Sequence, residues 1–309
     1  ISGIDWCVNN ATKYNITAIS ISLGGGVYST YCDDESSESG YKTAIDNAVS
    51  QNISVVIAAG NSGSSPGVGS TTKISSPACI QNATAIGSST KTDGISGFGN
   101  RNNITDLFAP GSSITSTAST GSCILCDSSG FKELSGTSMA TPHVAAAFAL
   151  IHQYFRLTEN RNVLPNETQR YLNDTGKQII DTGGSGLAFS RINIFAAIMS
   201  LDRLSPNITI ISPINNSAKT NITFVVNIVS NSIIGNPKFL SNATLEINNT
   251  NFTMSGYGTS WSANISTLRN GTYTYRVYGN DTFGNKNVSE SFTINIDLIA
   301  PYWANNITN

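Results

Sequence analysis

The run Gly136-Thr137-Ser138-Met139-Ala140-Thr141-Pro142-His143-Val144 puts a serine two residues after a glycine, where an apolar helical pattern begins. A hydroxyl at a helix N-terminus sits in the positive end of the macrodipole, among backbone N–H groups that have no intrahelical acceptor. Such a serine suits attack on a carbonyl, because the charge that develops on the substrate oxygen meets those donors. Gly136 lets a substrate backbone approach, and Pro142 is expected in the first turn or so, where its missing N–H costs little. A second turn, Ala58-Ala59-Gly60-Asn61-Ser62-Gly63, ends an apolar run and holds Asn61 at a strand terminus. An amide there donates a hydrogen bond to an oxyanion without bringing charge. Acyl transfer through Ser138, assisted by Asn61, is the chemistry these residue types fit. A serine also needs a base, and the chain has 2 histidines, His143 and His152. On one helix His143 falls about 140° around the axis from Ser138, and His152 about 21 Å further along it. Neither reaches the hydroxyl. His143 reads as a packed structural residue, and Lys132 is a remote alternative base.

The elements that must position these groups follow from periodicity. Ile4 to Asn10 reads as a helix end, and Thr17 to Leu23 as a strand closing on Gly24-Gly25-Gly26. Tyr41 to Gln51 sets Ala44, Ile45 and Ala48 on one helical face, ahead of a buried strand from Ser54 to Ala59. A further strand covers Ala83 to Gly87, and a long helix covers Thr137 to Phe155 with Val144, Phe148 and Ile151 on its apolar face. Alternation of this kind predicts an α/β fold, a parallel sheet with flanking helices. Ligands bind at the carboxyl edge of such sheets. Beyond Leu201 the period drops to two: Ile222, Phe224, Val226 and Ile228 point one way, and Tyr273, Tyr275, Val277 and then Phe292, Ile294, Ile296 repeat the pattern. Short strands with Asn, Gly and Ser turns predict an all-β, immunoglobulin-like sandwich of about 95 residues.

Composition narrows the partners. Of 309 residues only 12% are charged and the net charge is −2, about half the usual charged share. Clustered Lys and Arg are absent, which argues against nucleic acid. The longest apolar stretch, Val144 to Ile151, is far short of the roughly 20 residues that span a bilayer. The chain opens Ile-Ser-Gly-Ile-Asp-Trp, without an initiator Met or a leader pattern, and reads as a piece of a longer protein. It contains 18 Asn-x-Ser/Thr triplets, including Asn10, Asn15, Asn82, Asn103, Asn166, Asn207, Asn221, Asn242, Asn264, Asn280 and Asn306. Chance predicts roughly eight at this composition. An exported glycoprotein and a plain bias toward Asn both account for the excess.

The serine run and the Ala-Ala-Gly-Asn turn, taken with Ser20-Ile21-Ser22-Leu23-Gly24-Gly25 and Asp106-Leu107-Phe108-Ala109-Pro110-Gly111, resemble the subtilisin-like serine proteases, the subtilases. The resemblance covers about residues 1–201 and implies a serine endopeptidase. By that resemblance Ser138 is the nucleophile, and Asn61 completes the oxyanion hole with the Ser138 N–H. Ser22, Leu23, Gly24, Ala58, Ala59 and Gly60 then match the strands that pair with substrate backbone and wall the specificity pocket, with Gly136 and Thr137 beside the nucleophile. The family's triad runs Asp, His, Ser along the chain. Its Asp and His motifs are not found here, so the resemblance puts them upstream, and the chain by itself is expected not to hydrolyse peptides. An inert surface or adhesion protein with immunoglobulin-like repeats is the alternative.

The chain has 5 cysteines. The resemblance places the loops of Cys32 and Cys79 on one side of the cleft and implies that they pair. Cys123 and Cys126 form a Cys-x-x-Cys without the further ligands a zinc site needs, so a local disulfide is expected and no metal. Cys7 is left as a buried thiol on the first helix. Asp33, Asp34, Glu35 and Glu38 read as a solvated acidic loop, with a rim that favours basic residues or a structural calcium site as alternatives. No other cofactor is implied. The expected organisation is a partial catalytic domain over 1–202, a sandwich over 203–298 and the start of a further repeat over 299–309. The implied partners are protein or peptide substrates in an extracellular or cell-surface setting; the sandwich reads as a spacer in a repeat array, with cell-surface or glycan contact as the alternative.

Overall fold

A computed structural model of the chain describes residues 1–62, 68–219, 223–229 and 240–298. Gly63, Asn221, Ile222, Asn306 and the expected repeat over 299–309 lie outside the described residues. Contacts divide the chain into two compact units, Ile1–Ile198 and Met199–Asn309.

The first unit runs α1 (Ser2–Asn9), α2 (Ala11–Tyr14), β1 (Ala18–Ile21), β2 (Gly25–Tyr28), α3 (Ser39–Ser50), β3 (Ser54–Ala58), β4 (Ile74–Ser76), β5 (Thr84–Ser89), β6 (Leu107–Pro110), β7 (Ile114–Thr117), β8 (Phe131–Leu134), α4 (Thr137–Thr158), α5 (Pro165–Thr175), β9 (Lys177–Ile180) and β10 (Ala188–Arg191). A six-stranded sheet has the order β1-β3-β5-β6-β10-β9, parallel throughout except for the antiparallel β9. Every residue of β3 and β5 is buried, as expected for central parallel strands covered on both faces. Val55 and Ile57 pack with Ile4 and Val8 of α1 and with Ala44, Ile45 and Ala48 of α3. The alternate residues Val56 and Ala58 turn to the other face, where α4 lies against β3 and β5 and buries Val144, Phe148, Ile151 and Phe155.

Three local expectations are corrected. Gly25 and Gly26 are not a turn: they open β2, which pairs with β4. Pro142 is the sixth residue of α4, beyond the first turn. The Cys7 thiol is only half-buried, because the apolar stripe of α1 is carried by Ile4 and Val8.

The second unit contains β11 (Asn207–Ser212), β12 (Ser217–Lys219), β13 (Thr223–Val229), β14 (Leu240–Ile247), β15 (Thr250–Thr253), β16 (Ser255–Tyr257), β17 (Ser260–Asn264), β18 (Gly271–Asp281), β19 (Lys286–Val288) and β20 (Phe292–Ile296). One sheet has the order β11-β13-β17-β16 and the other β12-β20-β18-β14-β15, with β19 against β18. Phe224, Val226 and Ile228 of β13 and Trp261 of β17 share one core with Leu245 of β14, Tyr275 and Val277 of β18 and Ile294 of β20. Alternate residues of both sheets therefore meet face to face, which makes the unit a sandwich.

Candidate active site

Ser138 is the second residue of α4, so its N–H is one of the four that the helix leaves without an acceptor. Gly136 is the N-cap, and its carbonyl accepts from Met139 N–H at 3.0 Å. Asn61 follows the end of β3, carried there by Gly60, whose φ of +98° favours glycine. A Cβ on Gly60 would also lie 2.1 Å from Ser75 Oγ and 2.7 Å from Asn100 Nδ2. The position is closed on both counts.

Thr137 fixes the Asn61 amide. Its backbone N–H and its hydroxyl both donate to Asn61 Oδ1, at 2.9 and 3.0 Å. A backbone N–H can only donate, so the atom it faces is the amide oxygen. The Asn61 nitrogen is thereby left for the cleft beside the Ser138 N–H. Thr137 Oγ1 also accepts from Gly60 N–H at 3.2 Å, which closes a network joining the end of β3 to the start of α4. Asn61 and Ser138 line one cavity, and a neutral amide N–H is a donor of the kind that can hold a negative oxygen.

These groups open on a cavity of about 420 Å³ lined by Leu23, Gly24, Gly25, Gly26, Val27, Ala58, Gly60, Asn61, Ser62, Ser75, Thr137 and Ser138. Of the residues that the resemblance assigns to substrate contact, Leu23, Gly24, Ala58, Gly60 and Thr137 line this cavity. Three residues are placed otherwise. Ala59 is fully buried and exchanges backbone bonds with Ile86 and Ser75, because it continues β3 into the sheet. Gly136 is buried beneath Asn61, where a Cβ would lie 3.3 Å from the amide nitrogen. Ser22 lines an adjoining, largely apolar groove of about 470 Å³ with Ile1, Ile4, Ile19, Tyr41 and Pro77.

Neither histidine nor Lys132 is hydrogen-bonded to Ser138. The Ser138 hydroxyl donates to the Ser22 carbonyl at 3.2 Å. His143 is exposed, not packed, with Nδ1 2.8 Å from the Met139 carbonyl; it lies on the side of α4 turned from the sheet. His152 is the buried one, and burial together with the nearby Arg156 holds its pKa below the usual value. Lys132 Nζ is bonded to the carbonyls of Ile124 and Cys126 at the hairpin tip, at 2.7 and 3.5 Å.

The acidic loop is corrected too. Glu38 is 7% exposed, and its carboxylate accepts from Tyr28 of β2 at 2.9 Å and from Ser76 of β4. Asp33 is engaged by Gln81 N–H at 3.0 Å. The four acids therefore do not converge, and among the described residues no three His, Cys, Asp or Glu side chains are placed to hold a metal ion. Cys32 and Cys79 form a disulfide with Cα atoms 5.4 Å apart, and Cys123 and Cys126 form a second.

Sequence reasoning did not single out Gly25, Gly26, Val27, Ser62 or Ser75. Ser75 could have been found only from the pairing of β2 with β4, which sets Ser75 opposite Val27. No local pattern signals it.

Comparison with known proteins gives a consistent set of likenesses. A model of the subtilase family matches residues 1–191. Alkaline serine exoprotease A of Vibrio alginolyticus is 37% identical over 188 residues, 60% of this chain and 29% of that protein. The extracellular serine proteinase of Thermus sp. (strain Rt41A) is 39% identical over 155 residues, 50% of this chain and 32% of that protein. The chain spans about a third of the length of these relatives. The crystal structure of a lanthipeptide protease shares the fold, with a TM-score of 0.51 and 19% identity over 63% of this chain and 64% of that one. Among the described residues no helix is long and apolar enough to cross a membrane.

Proposed function

The chain belongs to the subtilase family, and from that premise we propose that it carries the nucleophile half of an exported serine endopeptidase. Ser138 Oγ adds to the carbonyl carbon of a peptide bond and gives its proton to a histidine base. The resulting oxyanion accepts from Asn61 Nδ2 and the Ser138 N–H. Collapse expels the amine, which takes the proton back, and water then hydrolyses the Ser138 ester by the same path. The histidine and its aspartate are supplied by upstream sequence. The observation that supports this reading is the Thr137–Asn61 network, which occupies the amide oxygen and leaves the amide nitrogen as a neutral donor in the cavity that Ser138 lines.

The finer assignments share this footing. The catalytic domain is taken as 1–202, the sandwich over 203–298 as an immunoglobulin-like repeat, and 299–309 as the start of another. The repeats act as spacers that position the enzyme, with contact to a cell surface or glycan as the alternative, and protein or peptide segments are its substrates. An extracellular or cell-surface setting fits the two disulfides. The inert adhesion reading draws on the absence of the family's Asp and His motifs from this sequence.

Fluorophosphonate labelling decides between the two. The full-length protein is expected to be labelled at Ser138, with the label lost in Ser138→Ala. A folded full-length protein that takes no label supports the adhesion reading. Labelling of residues 1–309 alone would show that the base is not upstream.

A further inference from the structure

Pro142 stands four residues after Ser138 in α4 and has no N–H to give. The Ser138 carbonyl therefore lacks the i→i−4 donor that an unbroken helix would supply, and the pyrrolidine ring presses on that carbonyl. The missing bond comes from another element. Ser22, just past the end of β1, donates its hydroxyl to the Ser138 carbonyl at 2.9 Å. In return the Ser138 hydroxyl donates to the Ser22 carbonyl at 3.2 Å. The two residues, 116 positions apart, make a reciprocal pair.

We propose that the Ser22 hydroxyl is a positioning group that replaces the helical hydrogen bond withheld by Pro142 and so fixes the Ser138 peptide. The proposal rests on Ser138 being the nucleophile. An intact helix would hold Ser138 only through its own axis. With the proline present, the first turn of α4 is instead tied to the end of β1, which is bonded within the sheet to β3. The Ser138 unit bears both the attacking oxygen and one oxyanion donor, so a drift of its carbonyl misaims the two together. The bond lies on an open surface. Water can satisfy the carbonyl when the hydroxyl is removed, but it cannot fix the direction of the peptide. The loss should therefore appear in turnover more than in substrate binding or stability.

A double-mutant cycle in the full-length protein tests this. Ser22→Ala is expected to lower kcat about tenfold with KM within about twofold, and Ser22→Thr to recover most of the loss. Pro142→Ala returns an N–H to the helix, so Ser22→Ala in that background should cost less than about twofold. An equal Ser22→Ala loss in both backgrounds, a loss confined to KM, or no recovery by Ser22→Thr would overturn the proposal. Thermal midpoints of the same four proteins need no turnover. A smaller non-additivity of the same sign is expected there, and strict additivity counts against the clamp. If none of the proteins turns over substrate, the functional reading fails and the midpoints still decide the clamp. If Pro142→Ala does not fold, the contrast between Ser22→Ala and Ser22→Thr beside Pro142 decides it.

Discussion

Asn61 uses its two amide atoms differently: the oxygen is held by Thr137, and the nitrogen is thereby free to serve a substrate. Asn61→Ala should lower kcat by about 10²–10³ with little change in KM, the cost known for this kind of donor in subtilisin and taken over from it. Thr137→Val keeps the backbone donor and removes the hydroxyl, so the amide loses one of two anchors. A fall of about fivefold in kcat is expected from steady-state kinetics; an unchanged rate would show that the backbone bond alone aims the amide. Ser138 and Asn61 were legible in sequence because each sits in a contiguous run whose glycine and helix start give it a reason. Thr137 was legible only as a neighbour. Its orienting role depends on a partner 76 positions away, and no periodicity carries that information.

A glycine and a carboxylate lie where β5 pairs with β6. Gly87 lies beside Phe108, and a Cβ there would approach the ring to 2.3 Å. The ring is fully buried and lies 4.5 Å from Phe189, centroid to centroid. Gly87→Ala should therefore destabilise the first unit by about 1–3 kcal/mol, read as a thermal midpoint lowered by several degrees. Asp106 accepts from Ala85 N–H at 2.7 Å and from Gln169 at 2.9 Å. Burial nevertheless pushes its pKa up from 3.8 to about 6. The folded state then binds more protons than the unfolded state between those values, so this contribution to stability is full below about pH 4 and is lost as pH rises through about 6. Asp106→Asn should flatten the unfolding midpoint against pH across that window, and an unchanged profile would show that Asp106 is not its source. The strands were legible from their apolar runs. The pairing of β2 with β4 was not, because three consecutive glycines read locally as a turn and strand partners are chosen by the whole sheet.

Among the described residues, the hydrophobic cores of the two units share no residue. Calorimetry should show two transitions, one of them reproduced by residues 203–298 made alone. A single joint transition, with that fragment unfolded, would contradict this. Asn15, Asn82, Asn103, Asn166, Asn207, Asn242 and Asn264 are exposed, so glycosidase treatment of protein from its native source should lower its mass. An unchanged mass would leave the Asn excess as a composition bias. The α/β and β textures were legible because periods of 3.6 and two differ over a few residues. The burial of Glu38 was not, since an acidic run reads as solvated until Tyr28 and Ser76 arrive from two other strands. The Cys32–Cys79 bond, with a sequence separation of 47, closes a covalent ring around Glu38, α3, β3 and Asn61. A cut anywhere inside that ring leaves the two pieces joined, so a nicked molecule would migrate as one band on a non-reducing gel and separate only once thiol is added.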